Sequence, residues 1–149
     1  MAEISLRERA VRHLARRDHS RAELARKLAP YGTAEEIDDV LNRMHELELL
    51  SDRRFAEAWV RGKAARFGIA RLRHDLAQRG VARETVDAAL ATEGGGDEFG
   101  RARQVWRGKF AIAPADAREW AKQARFLQSR GFGGDVIRKV LNETPDESA

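Results

Sequence analysis

A threefold internal repeat constrains this chain more than any other feature. The segment from Leu24 through Leu28 to Gly32 is echoed by Leu72 through Leu76 to Gly80, and again by Phe126 and Leu127 to Gly131. In each copy a leucine stands four residues before the glycine. The glycines lie 48 and 51 residues apart. After Gly80 the chain runs through Val81, Glu84 and Val86 to Leu90; after Gly131 it runs through Phe132, Asp135 and Ile137 to Leu141, with apolar and acidic character matched position for position. The first copy is one residue shorter between Gly32 and Leu41. A repeat of this period implies stacked supersecondary units, because no single unit can bury its apolar face alone. Each glycine is expected in the left-handed conformation just past a helix C-terminus, where a Cβ would be penalised.

The local pattern is helical throughout, with apolar residues recurring near every 3.6 positions. Ile37, Val40, Leu41, Met44 and Leu47 form the clearest stripe. Thr33 with Glu36, and Ser20 with Glu23, have the spacing of capping boxes. An earlier helix is expected to carry Leu6, Ala10, Val11 and Leu14 on one side. The leading helix of the second unit should bury Phe55, Ala58, Trp59 and Ala65, and that of the third Ala102, Val105, Trp106 and Phe110. Pro30 should end the second helix early. Gly94, Gly95 and Gly96 read as a flexible joint, and the tail with Pro145, Asp146 and Glu147 as frayed. The expected architecture is all-α, three tandem three-helix repeats over 1–50, 51–93 and 94–149, forming an elongated, curved solenoid. A three-helix unit of about 45 residues is marginal alone, so neighbours must share apolar surface.

Several chemistries find little support. Gly95 and Gly100 have phosphate-loop spacing, but Arg101 and Ala102 stand where Lys and Ser/Thr are needed. His13, His19, His45 and His74 form no ligand set with metal spacing and are expected at surface or half-buried positions. The acidic run Glu35, Glu36, Asp38 and Asp39 lies in the first turns of a helix, where the macrodipole favours negative charge. Trp59, Trp106, Trp120 and Phe126 have helical spacing that suits packing better than base stacking. No nucleophile has an evident base, so neither catalysis nor a cofactor is expected. The absence of cysteine suits a reducing compartment, no run of about 18 apolar residues suggests a membrane span, and the N-terminus, with Glu3, Arg7, Glu8 and Arg9, lacks the apolar stretch of a signal peptide. A cytoplasmic location follows as an expectation.

Charge is more informative. Residues 61–83 hold seven basic groups against one acid, a net of +6, and residues 101–130 hold eight against two, again +6. Residues 1–51 hold nine against ten. The positive field therefore belongs to the second and third units. Arginine dominates it, which suits bidentate pairing with phosphate or carboxylate.

Four sequence elements together resemble the recombination regulators of the RecX family. They are His19-Ser20 with Glu23-Leu24 and Lys27-Leu28; Leu50 with Asp52, Phe55-Ala56 and Trp59-Val60-Arg61; Gly68 with Arg71-Leu72, Leu76 and Gly80-Val81; and Arg125-Phe126-Leu127 with Arg130-Gly131-Phe132 and Val136-Ile137. The resemblance spans most of residues 7–141. It implies three tandem three-helix repeats and a negative regulator of RecA-type recombinase. Such a protein, active in homologous recombination, DNA repair and the SOS response, binds in the groove of the recombinase–DNA filament. There it suppresses ATP hydrolysis, filament extension and strand exchange, and some members bind DNA directly. A monomer is expected. On charge and repeat position, Arg66, Arg71, Arg73, Arg79, Arg125, Arg130 and Arg138 are the candidate contacts to recombinase or DNA. A direct DNA-binding helical protein without a recombinase partner is the alternative.

Overall fold

The computed structural model describes residues 3–94 and 96–142. Among them are nine α-helices and no β-strand: α1 (Leu6–Arg16), α2 (Arg21–Leu28), α3 (Ala34–Glu46), α4 (Asp52–Lys63), α5 (Ile69–Gln78), α6 (Arg83–Glu93), α7 (Glu98–Lys109), α8 (Ala117–Ser129) and α9 (Gly134–Asn142). The chain divides into two compact units, Met1–Ala58 with Leu76–Ala89, and Trp59–Asp75 with Leu90–Ala149. Both α4 and α5 thus begin in one unit and end in the other. Gly95 and the residues after Asn142, including the tail expected to fray, lie outside the described residues.

In the first unit, side chains settle the helix starts. Ser5 accepts from the Glu8 N–H, and Ser20 and Thr33 each form a complete capping box with Glu23 and Glu36. Each such cap is worth about 1 kcal/mol. Between α1, α2 and α3 the core collects Ala10, Leu24, Leu28, Ile37, Leu41, Met44 and Leu50, with Leu6, Leu14, Ala25 and Val40 against it. Burying each large aliphatic side chain contributes about 1.5–3 kcal/mol.

Some expectations need correction here. Val11 is 40% exposed, because it follows Ala10 by one residue and so points about 100° away around the helix. Leu47 is 39% exposed: α3 stops at Glu46, and Glu48, with φ 60°, turns the chain. His19 is buried rather than superficial. Its Nδ1 lies 3.0 Å from the Arg17 carbonyl and its Nε2 lies 2.9 Å from Lys27 Nζ. An ammonium can only donate, so Nε2 accepts and the proton sits on Nδ1, directed at the carbonyl. Burial pushes the His19 pKa below its ordinary value, and the charges of Arg17 and Lys27 act in the same direction.

The glycines divide. Gly80 and Gly131 adopt left-handed backbone, with φ of 77° and 90°. Gly32 does not: its φ of −170° is extended. Pro30 draws Ala29–Tyr31 into a 3-10 turn, which closes α2 before Gly32 is reached, and Gly32 instead leads into the Thr33 cap.

Local C-cap bonds set both left-handed glycines, the Val81 N–H donating to the Leu76 carbonyl and the Phe132 N–H to the Leu127 carbonyl, and tertiary contact then excludes a Cβ at either. In the first unit, the α5–α6 turn lies against the start of α2: Ser20 Oγ donates to the Arg79 carbonyl at 2.6 Å, and Arg26 donates to the Gln78 carbonyl at 3.2 Å. A Cβ on Gly80 would collide with that of Ala22. In the second unit, the α8–α9 turn lies against the start of α5 in the same manner. The Gly68 N–H donates to the Arg130 carbonyl at 2.7 Å, and Arg71 donates to the Ser129 carbonyl at 3.3 Å. A Cβ on Gly131 would collide with the Arg71 backbone, and one on Gly68 with the Gly131 carbonyl. The two carbonyls just before each glycine are therefore bound both times.

The second unit's core holds Ala102, Trp106, Leu127, Phe132, Ile137, Val140 and Leu141, with Val105, Phe110, Trp120 and Phe126 packed against it. Trp106 donates to Gln123 Oε1 at 2.8 Å, and Gln123 in turn donates to the Ile112 carbonyl at 3.1 Å, so the buried indole and amide are both satisfied. Along α4 the buried positions are Phe55, Ala56 and Val60, continued by Ala64. Phe55 is buried as expected, but Ala58 and Trp59 are half-buried and Ala65 is exposed, so beyond Phe55 the stripe follows Ala56, Val60 and Ala64 instead. Arg101, which stands where a phosphate loop would need lysine, donates to the Ala64 carbonyl at 2.8 Å beyond the end of α4. It is a structural cap.

Candidate nucleoprotein-binding surface

The basic face of the second unit is organised by two phenylalanines. Phe67 sits in the turn between α4 and α5, its N–H bonded to the Lys63 carbonyl at 3.1 Å. Three guanidinium carbons converge on its ring: Arg71 at 4.6 Å, Arg66 at 5.6 Å and Arg130 at 5.9 Å from the centroid. Phe126 on α8 carries Arg130 at 5.0 Å and Lys109 Nζ at 5.8 Å, and meets Phe110 edge-on at 5.4 Å. Arg130 thus joins the two rings. It reaches both because the α8–α9 turn, fixed on Gly68, places it beside the α4–α5 turn.

The charge on this surface is poorly balanced. Arg71 pairs with Asp75 at 3.2 Å and holds the Ser129 carbonyl, so its role is largely to position the turn. Arg66, Arg130 and Lys109 make no ion pair with any described carboxylate. Each cation–π contact contributes about 0.5–1 kcal/mol at an exposed site, which leaves the N–H groups able to bind an anion. Crowding of like charge around one ring is relieved by such an anion. The arrangement suits phosphate or carboxylate recognition. Among the described residues no cluster of His, Cys, Asp or Glu could hold a metal ion, and no helix is long and apolar enough to cross a membrane.

The seven candidate arginines separate. Arg66, Arg71 and Arg130 gather at Phe67. Arg79 belongs to the first unit, half-buried, with its carbonyl taken by Ser20. Arg73 is exposed on α5 and Arg125 on α8. Arg138 is exposed on α9 and pairs with Asp135. Sequence reasoning missed Phe67 and Lys109 as members of the surface. The signal for Phe67 was its place in a basic turn, directly after Arg66 and before Gly68.

Models of the first, second and third RecX three-helix domains match residues 7–44, 51–90 and 96–141. The chain belongs to the RecX family. A Regulatory protein RecX from Leptothrix cholodnii is 49% identical over 143 residues, covering 93% of this chain and 88% of that one. One from Chromobacterium violaceum is 43% identical over 144 residues, covering 96% and 93%. The fold is similar to a crystal structure of RecX from Lactobacillus salivarius, with a TM-score of 0.78 at 19% identity over 92% of each chain. A second RecX crystal structure gives a TM-score of 0.79 at 19% identity, over 93% of this chain and 72% of that one. An all-helical repeat fold of RecX type is thus common to them.

Proposed function

We propose that this RecX-family chain is a non-enzymatic cytoplasmic regulator that binds in the groove of a RecA-type recombinase filament on DNA. It suppresses ATP hydrolysis, filament extension and strand exchange. In this reading the three units run 1–50, 51–93 and 94–149, and the monomer is the active form.

The observation that carries the reading is the convergence of Arg66, Arg71 and Arg130 on Phe67, with Lys109 and Arg130 on Phe126, where Arg71 is also paired with Asp75. A nucleoprotein filament offers repeated anionic groups, so contacts that are individually modest add through effective concentration. A protein bound across adjacent protomers resists the relative movement that nucleotide turnover and subunit addition require. A second reading is direct DNA binding, which the same cations favour through phosphate contacts and counterion release. The rings themselves are covered by guanidinium groups, so charge rather than base stacking would carry that binding.

The test is to titrate the protein into recombinase assembled on single-stranded DNA while following ATP hydrolysis. Wild type is expected to slow turnover. The Arg66→Glu, Arg130→Glu double variant should need about tenfold more protein for the same effect. An unchanged rate on verified filaments overturns the reading. Equal affinity for bare and coated DNA, with a steep salt slope, favours the second.

A further inference from the structure

The two occupied turn contacts allow the third repeat to be read by analogy. Aligning Leu28, Leu76 and Leu127 sets Ala22, Ala70 and Ala121 in register. It likewise sets Glu23, Arg71 and Lys122 together, and Arg26, His74 and Arg125. In the first repeat, Arg26 binds the carbonyl two residues before the incoming glycine; in the second, Arg71 binds the equivalent carbonyl. The third repeat carries a cation at both of these positions, Lys122 and Arg125. Both are exposed on α8. With Asp116, Arg118 and Glu119 they line a surface pocket of about 450 Å³.

We propose that this face of α8 is an open receptor for the C-terminal turn of a helix, ending on a left-handed glycine, on a recombinase protomer. The inference rests on the filament reading and specifies one of its contacts. Carbonyls at a helix C-terminus are unsatisfied and lie at the negative end of the macrodipole, so they are the groups that Lys122 and Arg125 complement. Ala121 leaves room for close backbone approach, as Ala22 does beneath Gly80. The receptor differs from the occupied ones at its upper edge. α8 begins at Ala117, and the Glu119 N–H is already bound by Asp116 at 2.8 Å, so no counterpart of the Ser20 hydroxyl or Gly68 N–H is available. Arg118, one turn before Lys122, supplies the replacement donor. A second copy of this chain fits poorly: its free repeat-one turn has an extended Gly32, and Arg9 lies over Tyr31 at 3.7 Å.

The experiment uses the full chain with recombinase filaments on single-stranded DNA. In the Lys122→Glu, Arg125→Glu double variant, half-inhibition of ATP hydrolysis should require at least about tenfold more protein, with an unchanged helical melting curve. A photoreactive p-benzoylphenylalanine in place of Ala121 should crosslink to a helix–glycine turn of the recombinase, mapped by mass spectrometry. Crosslinks confined to DNA, to a second copy or to another part of the recombinase overturn the inference, as does undiminished inhibition by the double variant. In those cases wild-type inhibition persists and the filament reading stands. If wild type itself leaves turnover unchanged on verified filaments, both fall.

Discussion

The start of α2 and the start of α5 solve the same problem with different chemistry. Each must hold two backbone carbonyls from a glycine turn. At α2 the work is done by side chains: Ser20 accepts from the Glu23 N–H and at the same time donates to the Arg79 carbonyl, while Arg26 takes the Gln78 carbonyl. At α5 a main-chain N–H replaces the hydroxyl, because the turn comes so close that position 68 has no room for a Cβ. Arg71 reaches the second carbonyl, and in doing so lies over Phe67. The tighter contact thus also assembles the cationic surface, whereas the looser one only joins helices. What the repeat preserves is the pair of bound carbonyls. The donor is free to vary.

The comparison can be tested first through the three glycines. Gly131→Ala should destabilise most, by about 3 kcal/mol or more, since a left-handed alanine costs about 1–2 kcal/mol and the added methyl also strikes the Arg71 backbone. Gly80→Ala should cost less, because the obstacle is the Ala22 methyl group. Gly32→Ala should be mildest: its backbone is extended and the nearest atom is the flexible end of Leu6 at 3.0 Å. Urea unfolding of the three variants gives the order, and a Gly32 cost equal to that of Gly131 breaks the account.

Ser20→Ala comes next. It removes a helix cap and leaves the Arg79 carbonyl without its hydroxyl donor, an expected loss of about 2 kcal/mol by denaturant titration. A change below a few tenths would mean that the Ser20 contact is dispensable and that the two turn contacts are not equivalent.

The smallest effect is a pH dependence. Unfolded His19 takes up a proton near its ordinary pKa, about 6.5, while the folded ring takes one up only at lower pH. Its contribution is therefore fully present above that value and declines as pH falls toward the folded pKa. Glu23, held below its ordinary range by Arg17 and the Ser20 N–H despite opposing burial, is lost later on the same acid side. Stability measured at pH 7.5 and at pH 5.5 should differ in wild type. A His19→Asn variant should show a smaller difference, and an equal one sinks the assignment.

Much of the local structure was legible in the residues. Capping boxes at Ser20 and Thr33 act within one helical turn, so their spacing was sufficient. The failures fall where a neighbour intervenes. Val11 and Leu47 had the right composition for a stripe but the wrong angular place or a helix that ended too soon. His19, expected at a surface or half-buried position, is buried because Lys27 and the Arg17 carbonyl satisfy its ring. Of the surface itself, charge density pointed to Arg66, Arg71 and Arg130. Phe67 had a signal in its basic turn beside Arg66, whereas its link to Arg130 and the place of Lys109 over Phe126 emerged only from contacts between separate helices and turns.

The residues alone determined the helices, their caps, the repeat and the concentration of arginine in its later copies, because each depends on periodicity or on partners a few positions away. Tertiary structure decided what the left-handed glycines press against and which arginines met around one ring. Gly32, Gly80 and Gly131 occupy the same place in the repeat, but only the latter two press against the second helix of the preceding copy. A turn has no means of encoding what will be packed upon it.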